Sequence, residues 1–493
     1  MKRILSFILV ALMCLPTFTL FGCGDDAKKS SEVGYVRVCN CADYIDLDLL
    51  DEFEEETGIK VIYSTFGTNE NLYNELVINP NSYDLVVPSE YMIEKLAVEG
   101  RIKPLNFHYL TDYQDNLSDY IQGRLNDIEI KEGKYAGNKI SDFMVGYMWG
   151  TMGWVYNTDN VNIEDVKSWY GVFENQDLSK RITIKDAVRD SYIIGLAMVY
   201  EEQLKQANSV EEISAILNNT NQDAIDLVGE RLNSLKPMLY GFEVDSGKND
   251  IVLGNIDAYV AWSGDGAYAI DVAAREAEDE DGELIAEENI RNLSYYVPDE
   301  GSNIWFDGFV MPSASTNYTN VYKFLEFISR PENVIRNIDE TGYTSMVATD
   351  EIYEEIVLGW FDESEDLEEG EGKTVDLSYF FGEGGDYTVT VSEESYGRLM
   401  AQYPSAEIVS RCAVMSYFDS YTLLKVNEMW EKVKGQTFPT WVIVLTICIV
   451  AVIAIIIVLI RHKDKIKWLK LPQRKTTYAE RKGLKIVKVE NLD

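Results

Sequence analysis

Tyr35-Val36-Arg37-Val38-Cys39, the segment Asp46 to Thr57, and Lys60-Val61-Ile62-Tyr63-Ser64-Thr65 form the stretch that decides the fold. The first and third pieces are short and rich in β-branched and aromatic residues, which favours strands. The middle piece places Leu47, Leu50 and Phe53 at helical spacing and stops at Gly58, which predicts a helix. The pattern then repeats. Asn69 to Val77 is expected to be helical with Leu72 and Leu76 one turn apart, Tyr83-Asp84-Leu85-Val86-Val87-Pro88 a buried strand, and Glu90 to Glu99 a helix ended by Gly100. Strand–helix alternation of this kind predicts an α/β fold with a parallel sheet. It resumes between residues 160 and 300: Arg181 to Ile184 reads as a strand, Ser191 to Tyr200 as a helix, and Ile256 to Trp262 as a strand. Between the two blocks, Gly146-Tyr147-Met148-Trp149-Gly150-Thr151-Met152-Gly153 is a glycine-punctuated extended segment suited to a hinge.

The chain has 493 residues and a formal net charge of −39, and the charge is unevenly spread. The last 33 residues, Arg461 to Asp493, hold 11 Lys/Arg against 4 Asp/Glu, so the acidic excess lies in the body between residues 24 and 437. Such a body would repel a phosphate backbone, so nucleic acid is excluded as a partner. It would attract polycations, although solubility alone also explains it. Only two histidines occur, His108 and His462, which leaves a histidine-based triad or a multi-histidine zinc site without residues. No catalytic residues, metal site or cofactor are expected. Six cysteines are present with no CxxC pair, and Cys14 and Cys448 lie in apolar runs. Cys39 and Cys41 share a strand face. A bridge from one of them to Cys412 and free thiols are both open readings, with free thiols the simpler.

Both ends of the chain point to a membrane. Residues 1–23 have the basic start and apolar run of a secretory signal. Their end, Leu20-Phe21-Gly22-Cys23, resembles a bacterial lipobox, in which Cys23 would become the lipid-bearing residue; an uncleaved anchor is the alternative. Residues 24–34 form a polar tether. Residues 438–460 contain no charge. As a helix they would extend about 35 Å, enough to span a hydrocarbon core of about 30 Å. The basic tail, 461–493, belongs on the cytoplasmic side by the positive-inside rule, which places the body outside. Two acidic inserts, 276–288 and 362–373, read as solvated loops.

Within the body, Gly301-Ser302-Asn303-Ile304-Trp305-Phe306-Asp307-Gly308-Phe309-Val310-Met311-Pro312 stands out. In an extended chain Trp305 and Asp307 point to one face. An indole beside a carboxylate suits an organic cation, through cation–π attraction and charge-assisted hydrogen bonds. A buried tryptophan next to a turn-capping aspartate is the competing reading.

From Tyr35 to Ala348, with a weaker echo to Lys434, the chain resembles the spermidine/putrescine-binding solute-binding proteins of bacterial ABC importers. The resemblance rests on Cys39-Asn40-Cys41-Ala42-Asp43-Tyr44-Ile45-Asp46, Glu55-Glu56-Thr57-Gly58-Ile59-Lys60-Val61, Tyr83 to Ser89, Tyr147-Met148-Trp149-Gly150-Thr151, Trp262-Ser263-Gly264-Asp265, Tyr296 to Ser302, Trp305-Phe306-Asp307 and Thr341-Gly342-Tyr343, in that order. It implies a periplasmic-binding-protein-like fold of two α/β lobes joined by crossing strands, with ligand held in the cleft between them. Lobe 1 would comprise 35–151 with 303–348, and lobe 2 would comprise 152–302 with 349–435. Carried over residue by residue, the ligand-binding positions are Tyr44, Ser89, Tyr91, Asp190, Trp262, Trp305, Asp307 and Tyr343. Asp186 is a substitute for an acidic position that here falls on Ala187. Three further departures are Cys41 for a tryptophan, Ala42 for a hydroxyl residue and Met415 for a polar one; they bear on ligand length and affinity. The implied function is non-enzymatic: capture of a polyamine outside the membrane and delivery to ABC permease and ATPase subunits. A membrane-anchored sensor signalling through the span and an acidic hydrolase with paired carboxylates are the competing classes. The 33-residue tail is short for a signalling domain, and no carboxylate pair stands out for hydrolysis.

Overall fold

Two long strands that cross the molecule organise everything else. A computed structural model describes residues 34–276, 291–368 and 370–435. The signal segment with Cys23, most of the 276–288 insert, the 438–460 run and the basic tail lie outside the described residues. The strands are β1 Tyr35–Cys41, β2 Lys60–Phe66, β3 Leu85–Val86, β4 Ile102–Lys103, β5 Met144–Asn157, β6 Ile182–Lys185, β7 Leu239–Glu243 and β8 Ala258–Trp262. They continue with β9 Leu293–Tyr296, β10 Ser302–Pro312, β11 Thr344–Ser345, β12 Lys373–Asp376, β13 Thr388–Val391 and β14 Cys412–Ala413. Twelve of them form one sheet along the path β2-β1-β3-β10-β5-β8-β6-β7, with β4 and β14 beside β10 and β9 and β11 beside β5; β12 and β13 form a separate hairpin.

The alternating blocks make the two ends of this sheet. β1 runs parallel to β2 and β3, and β6 runs parallel to β7 and β8. The strands between them are antiparallel: β5 and β10 pair from Thr151↔Ile304 to Met144↔Val310. Each serves both ends. β10 meets β3 at Val310↔Val86, while its first residues, Ser302 and Asn303, pair with β14. β5 pairs with β8 from Met152↔Trp262 to Tyr156↔Ala258. Every residue of β5 and β10 is buried, which explains why both read as near-continuous apolar runs. The result is two α/β lobes joined by crossing strands, and the glycine-punctuated segment is one of those strands.

Two local expectations are corrected. The first helix is Asp48–Thr57 and buries Leu49 and Phe53, an i,i+4 pair, whereas Leu47 lies before its first turn and is 60% exposed. The third strand shrinks to Leu85–Val86. Pro88 has no N–H to extend the ladder, and Asp84 turns its side chain to the Arg37 guanidinium at 3.0 Å. Beyond Trp430 the described residues include only the end of the helix Ser420–Lys434 and Gly435. No helix among the described residues is long and apolar enough to cross a membrane.

Candidate ligand-binding cleft

Because β10 is extended, Asn303, Trp305 and Asp307 fall on one face, and all three line an aromatic-walled cleft. The register of β10 against β5 shifts between Asp307 and Gly308, where β5 carries one extra residue, Tyr147. Opposite Trp305 in the ladder stands Gly150. A Cβ there would lie 2.2 Å from the Ser263 hydroxyl and 2.7 Å from the indole, so glycine is what leaves room for both. The indole N–H donates to the Thr151 carbonyl at 3.3 Å.

The rest of the wall is aromatic. Tyr44 meets Tyr343 edge-on at 4.8 Å and Tyr147 at 5.4 Å, and Tyr343 meets Trp305 at 5.6 Å. Tyr343 rests against the start of the helix Ser263–Glu276, where a Cβ on Gly264 would sit 2.1 Å from its ring. Gly264→Ala must displace that ring. It is therefore expected to lower stability by about 1–3 kcal/mol in thermal unfolding and to weaken ligand binding together with it.

Asp307 is the centre of the site. It is 8% exposed. Its Oδ2 accepts a hydrogen bond from the Tyr44 hydroxyl at 2.9 Å, and its Oδ1 is buried with no hydrogen-bond partner. Burial pushes its pKa up to about 6, against the opposing pull of the neighbouring Ser89 and Tyr44 hydroxyls. Asp190, on the first turn of the helix Val188–Val199, is also raised to about 6, by burial and then by the nearby Glu70 carboxylate. The Trp262 indole N–H points to Asp190 Oδ1 at 3.5 Å. Ser89 lines the cleft with its hydroxyl held by the Asn69 amide at 3.0 Å. Tyr91 donates to Glu70 Oε1 at 3.1 Å and carries the Arg189 guanidinium 4.4 Å over its ring.

Eight of the nine expected residues thus line one cleft: Tyr44, Ser89, Tyr91, Asp190, Trp262, Trp305, Asp307 and Tyr343. Asp186 does not. It follows the last residue of β6, donates its backbone N–H to the Glu243 carbonyl at 2.6 Å, and leaves the cleft to Asp190 one helical turn later. The four departures from the resemblance, Cys41, Ala42, Ala187 and Met415, all lie on the cleft wall. Cys39, Cys41 and Cys412 are free thiols. Among the described residues no cluster of three or more His, Cys, Asp or Glu is arranged to hold a metal ion.

Sequence reasoning missed several lining groups. Asn303 was available from the period of two that links Trp305 to Asp307. Asp265 comes three residues after Trp262, and its Oδ1 accepts from the Tyr343 hydroxyl at 2.9 Å. Glu90 follows Ser89 and is fully buried; burial raises its pKa to about 8, and its Oε2 accepts from the Phe306 N–H at 2.9 Å. Asp43 and Lys248, 3.6 Å apart, come from loops where periodicity carries no signal.

The model of the bacterial extracellular solute-binding protein family matches residues 48–355. The putrescine-binding periplasmic protein PotF of Escherichia coli is 29% identical over 321 residues, 64% of this chain and 79% of that protein. A spermidine/putrescine-binding periplasmic protein of Salmonella typhimurium is 26% identical over 322 residues, 65% of this chain and 80% of that protein. Among solved structures, the substrate-binding protein PotD of a spermidine/putrescine ABC transporter from Streptococcus pneumoniae superposes with TM-score 0.54 at 25% identity, over 81% of this chain and 98% of that one. The TpPotD lipoprotein of Treponema pallidum shares the fold with TM-score 0.58 at 16% identity, over 82% and 100% of the two chains. A two-lobed sheet crossed by β5 and β10, with a cleft floored by Asp307 and matched by that family model over more than half its length, makes this chain a member of the bacterial extracellular solute-binding protein family.

Proposed function

We propose that this chain is the extracytoplasmic receptor of an ABC importer, a binding protein without catalysis, and that its ligand is a polyamine of the putrescine/spermidine class. The observation that carries the reading is the buried, unpartnered Oδ1 of Asp307 on the floor of an aromatic cleft. An isolated buried carboxylate oxygen is costly, and an ammonium group removes that cost. The flanking methylenes then lie against Tyr44, Trp305 and Tyr343, with Trp262 and Asp190 further along, and Ser89 and Tyr91 closing the opposite wall. The relatives named for putrescine or spermidine support the same ligand class.

In this reading the lobes divide at 151/152, 302/303 and 348/349, and the cleft closes over the ligand by rotation about β5 and β10. Cys23 bears a lipid, residues 438–460 form a second anchor, and the basic tail is cytoplasmic. The closed form docks on permease and ATPase subunits. The test is a calorimetric titration of the full-length protein in detergent with putrescine, spermidine and an amino-acid control. Micromolar or tighter binding of a polyamine, and none of the amino acid, is expected. No heat with either polyamine would leave the fold standing and remove the ligand.

A further inference from the structure

Lys185 ends β6 and is completely buried behind the cleft wall. Its ammonium donates to the Val244 carbonyl at 2.7 Å. It lies 3.5 Å from Glu243 Oε1, 3.6 Å from Asp265 Oδ2 and 4.1 Å from the centroid of the Trp262 ring. Those two carboxylate oxygens are buried and accept no hydrogen bond, so the ammonium is what balances them. Their other oxygens are already satisfied, by the Gly247 N–H and the Tyr343 hydroxyl. The register of β6 on β7 pairs Lys185 with Glu243 directly, so the arrangement is built into the sheet. Burial pulls the lysine towards the neutral form, but the surrounding carboxylates, Glu243 and Asp265 first and then Asp245 and Asp190, together outweigh burial and its pKa is raised.

Trp262 and Asp265 both face the cleft. An indole ring and a carboxylate side by side are what a ligand ammonium would seek, yet here the chain supplies the ammonium itself. We infer that Lys185 is a specificity-determining residue, a built-in ammonium that occupies the charge role of one ligand ammonium at the Trp262–Asp265 end and biases the cleft towards diamines over triamines. This rests on the polyamine reading above. An additional ligand ammonium placed at that end meets a fixed positive charge and a carboxylate already balanced. The shorter ligand needs only Asp307 and Asp190.

The experiment measures putrescine and spermidine affinities of the full-length protein in detergent, and of three variants. The unaltered protein is expected to bind putrescine more tightly. Lys185→Met exposes Glu243 and Asp265 to the cleft and is expected to shift the affinity ratio towards spermidine by about tenfold or more, the factor of one charge-assisted hydrogen bond. Glu243→Gln leaves Lys185 less balanced and is expected to shift the ratio the other way. The double variant Lys185→Met/Glu243→Gln restores the balance and should return the ratio towards that of the unaltered protein. If the buried Lys185→Met protein fails to fold, the direction of the Glu243→Gln shift decides. Polyamine binding with a ratio unchanged within about twofold in the folded variants, or an initial preference for spermidine, overturns the inference and leaves the receptor reading intact. Absence of polyamine binding in all of the proteins overturns both.

Discussion

Asp307→Asn is expected to weaken polyamine binding by about 100-fold or more while the protein remains folded. The size follows from what is lost. A hydrogen bond to a charged group contributes about 1.5–3 kcal/mol, and the ligand ammonium left facing a neutral amide in a buried site adds a further penalty. The change is nearly isosteric, and the asparagine carbonyl can still accept from Tyr44, whose hydroxyl lies 2.9 Å from Oδ2. Loss of binding would therefore not come from a collapsed wall. Stability should move the other way. The carboxylate is 8% exposed and its pKa is raised to about 6, so its charged form costs free energy at neutral pH in the free protein. Removing that charge should raise the thermal midpoint of the ligand-free protein. Calorimetric titration together with thermal unfolding checks both signs. A variant that binds within a few-fold of the parent would mean the cation sits elsewhere. A variant that binds poorly and melts lower would mean the amide has broken the Tyr44 contact.

What was legible in the chain was what repeats or alternates. Both parallel blocks appeared where apolar residues alternate with helical spacing, and Trp305 with Asp307 were placed on one face by the period of two alone. The crossing strands were harder. β5 reads as a glycine-punctuated extended segment suited to a hinge; Gly150 leaves room for the Trp305 indole and the Ser263 hydroxyl, and a Cβ on Gly153 would meet the Tyr296 carbonyl at 2.5 Å. Antiparallel pairing between residues 144–151 and 304–310 is a long-range fact that no local window contains. The site divides the same way. Eight expected residues meet around one cleft because motif order carries them there, whereas Asp186 does not line it, because β6 turns its last side chain, Lys185, inward and leaves the next residue outside. Lys185 itself was invisible. A lysine at the end of a strand reads as solvated unless one knows that Glu243 and Asp265 converge on it from two other elements.

Binding should also strengthen as pH rises to about 6 and then level off. In the free protein Asp307 and Asp190 both titrate near 6, chiefly because burial disfavours their charged forms. A bound ammonium favours those forms, so the complex holds fewer protons than the free protein wherever the free carboxylates are still protonated. Affinity therefore falls with acidification, by about tenfold per pH unit for each carboxylate below its pKa. At pH 5 the combined loss approaches about 100-fold relative to pH 7. The ligand does not contribute, since alkylammonium groups keep their protons until roughly pH 10. His108 is exposed and does not line the cleft. Glu90 provides a check on the assignment, because it titrates near 8. A profile that keeps rising to pH 8 would make Glu90 the ammonium's partner, and a profile flat from pH 5 to 8 would remove buried carboxylates from the site. Folding gives the opposite sign in the absence of ligand. Carboxyls whose folded pKa lies above the unfolded value contribute stability that is present below about 4 and lost as pH rises through about 6. These two groups thus make the free protein less stable at pH 7 than at pH 5, while the ligand-induced rise in melting temperature is larger at pH 7. The two curves must diverge over the same pH interval, because one pair of carboxylates sets both.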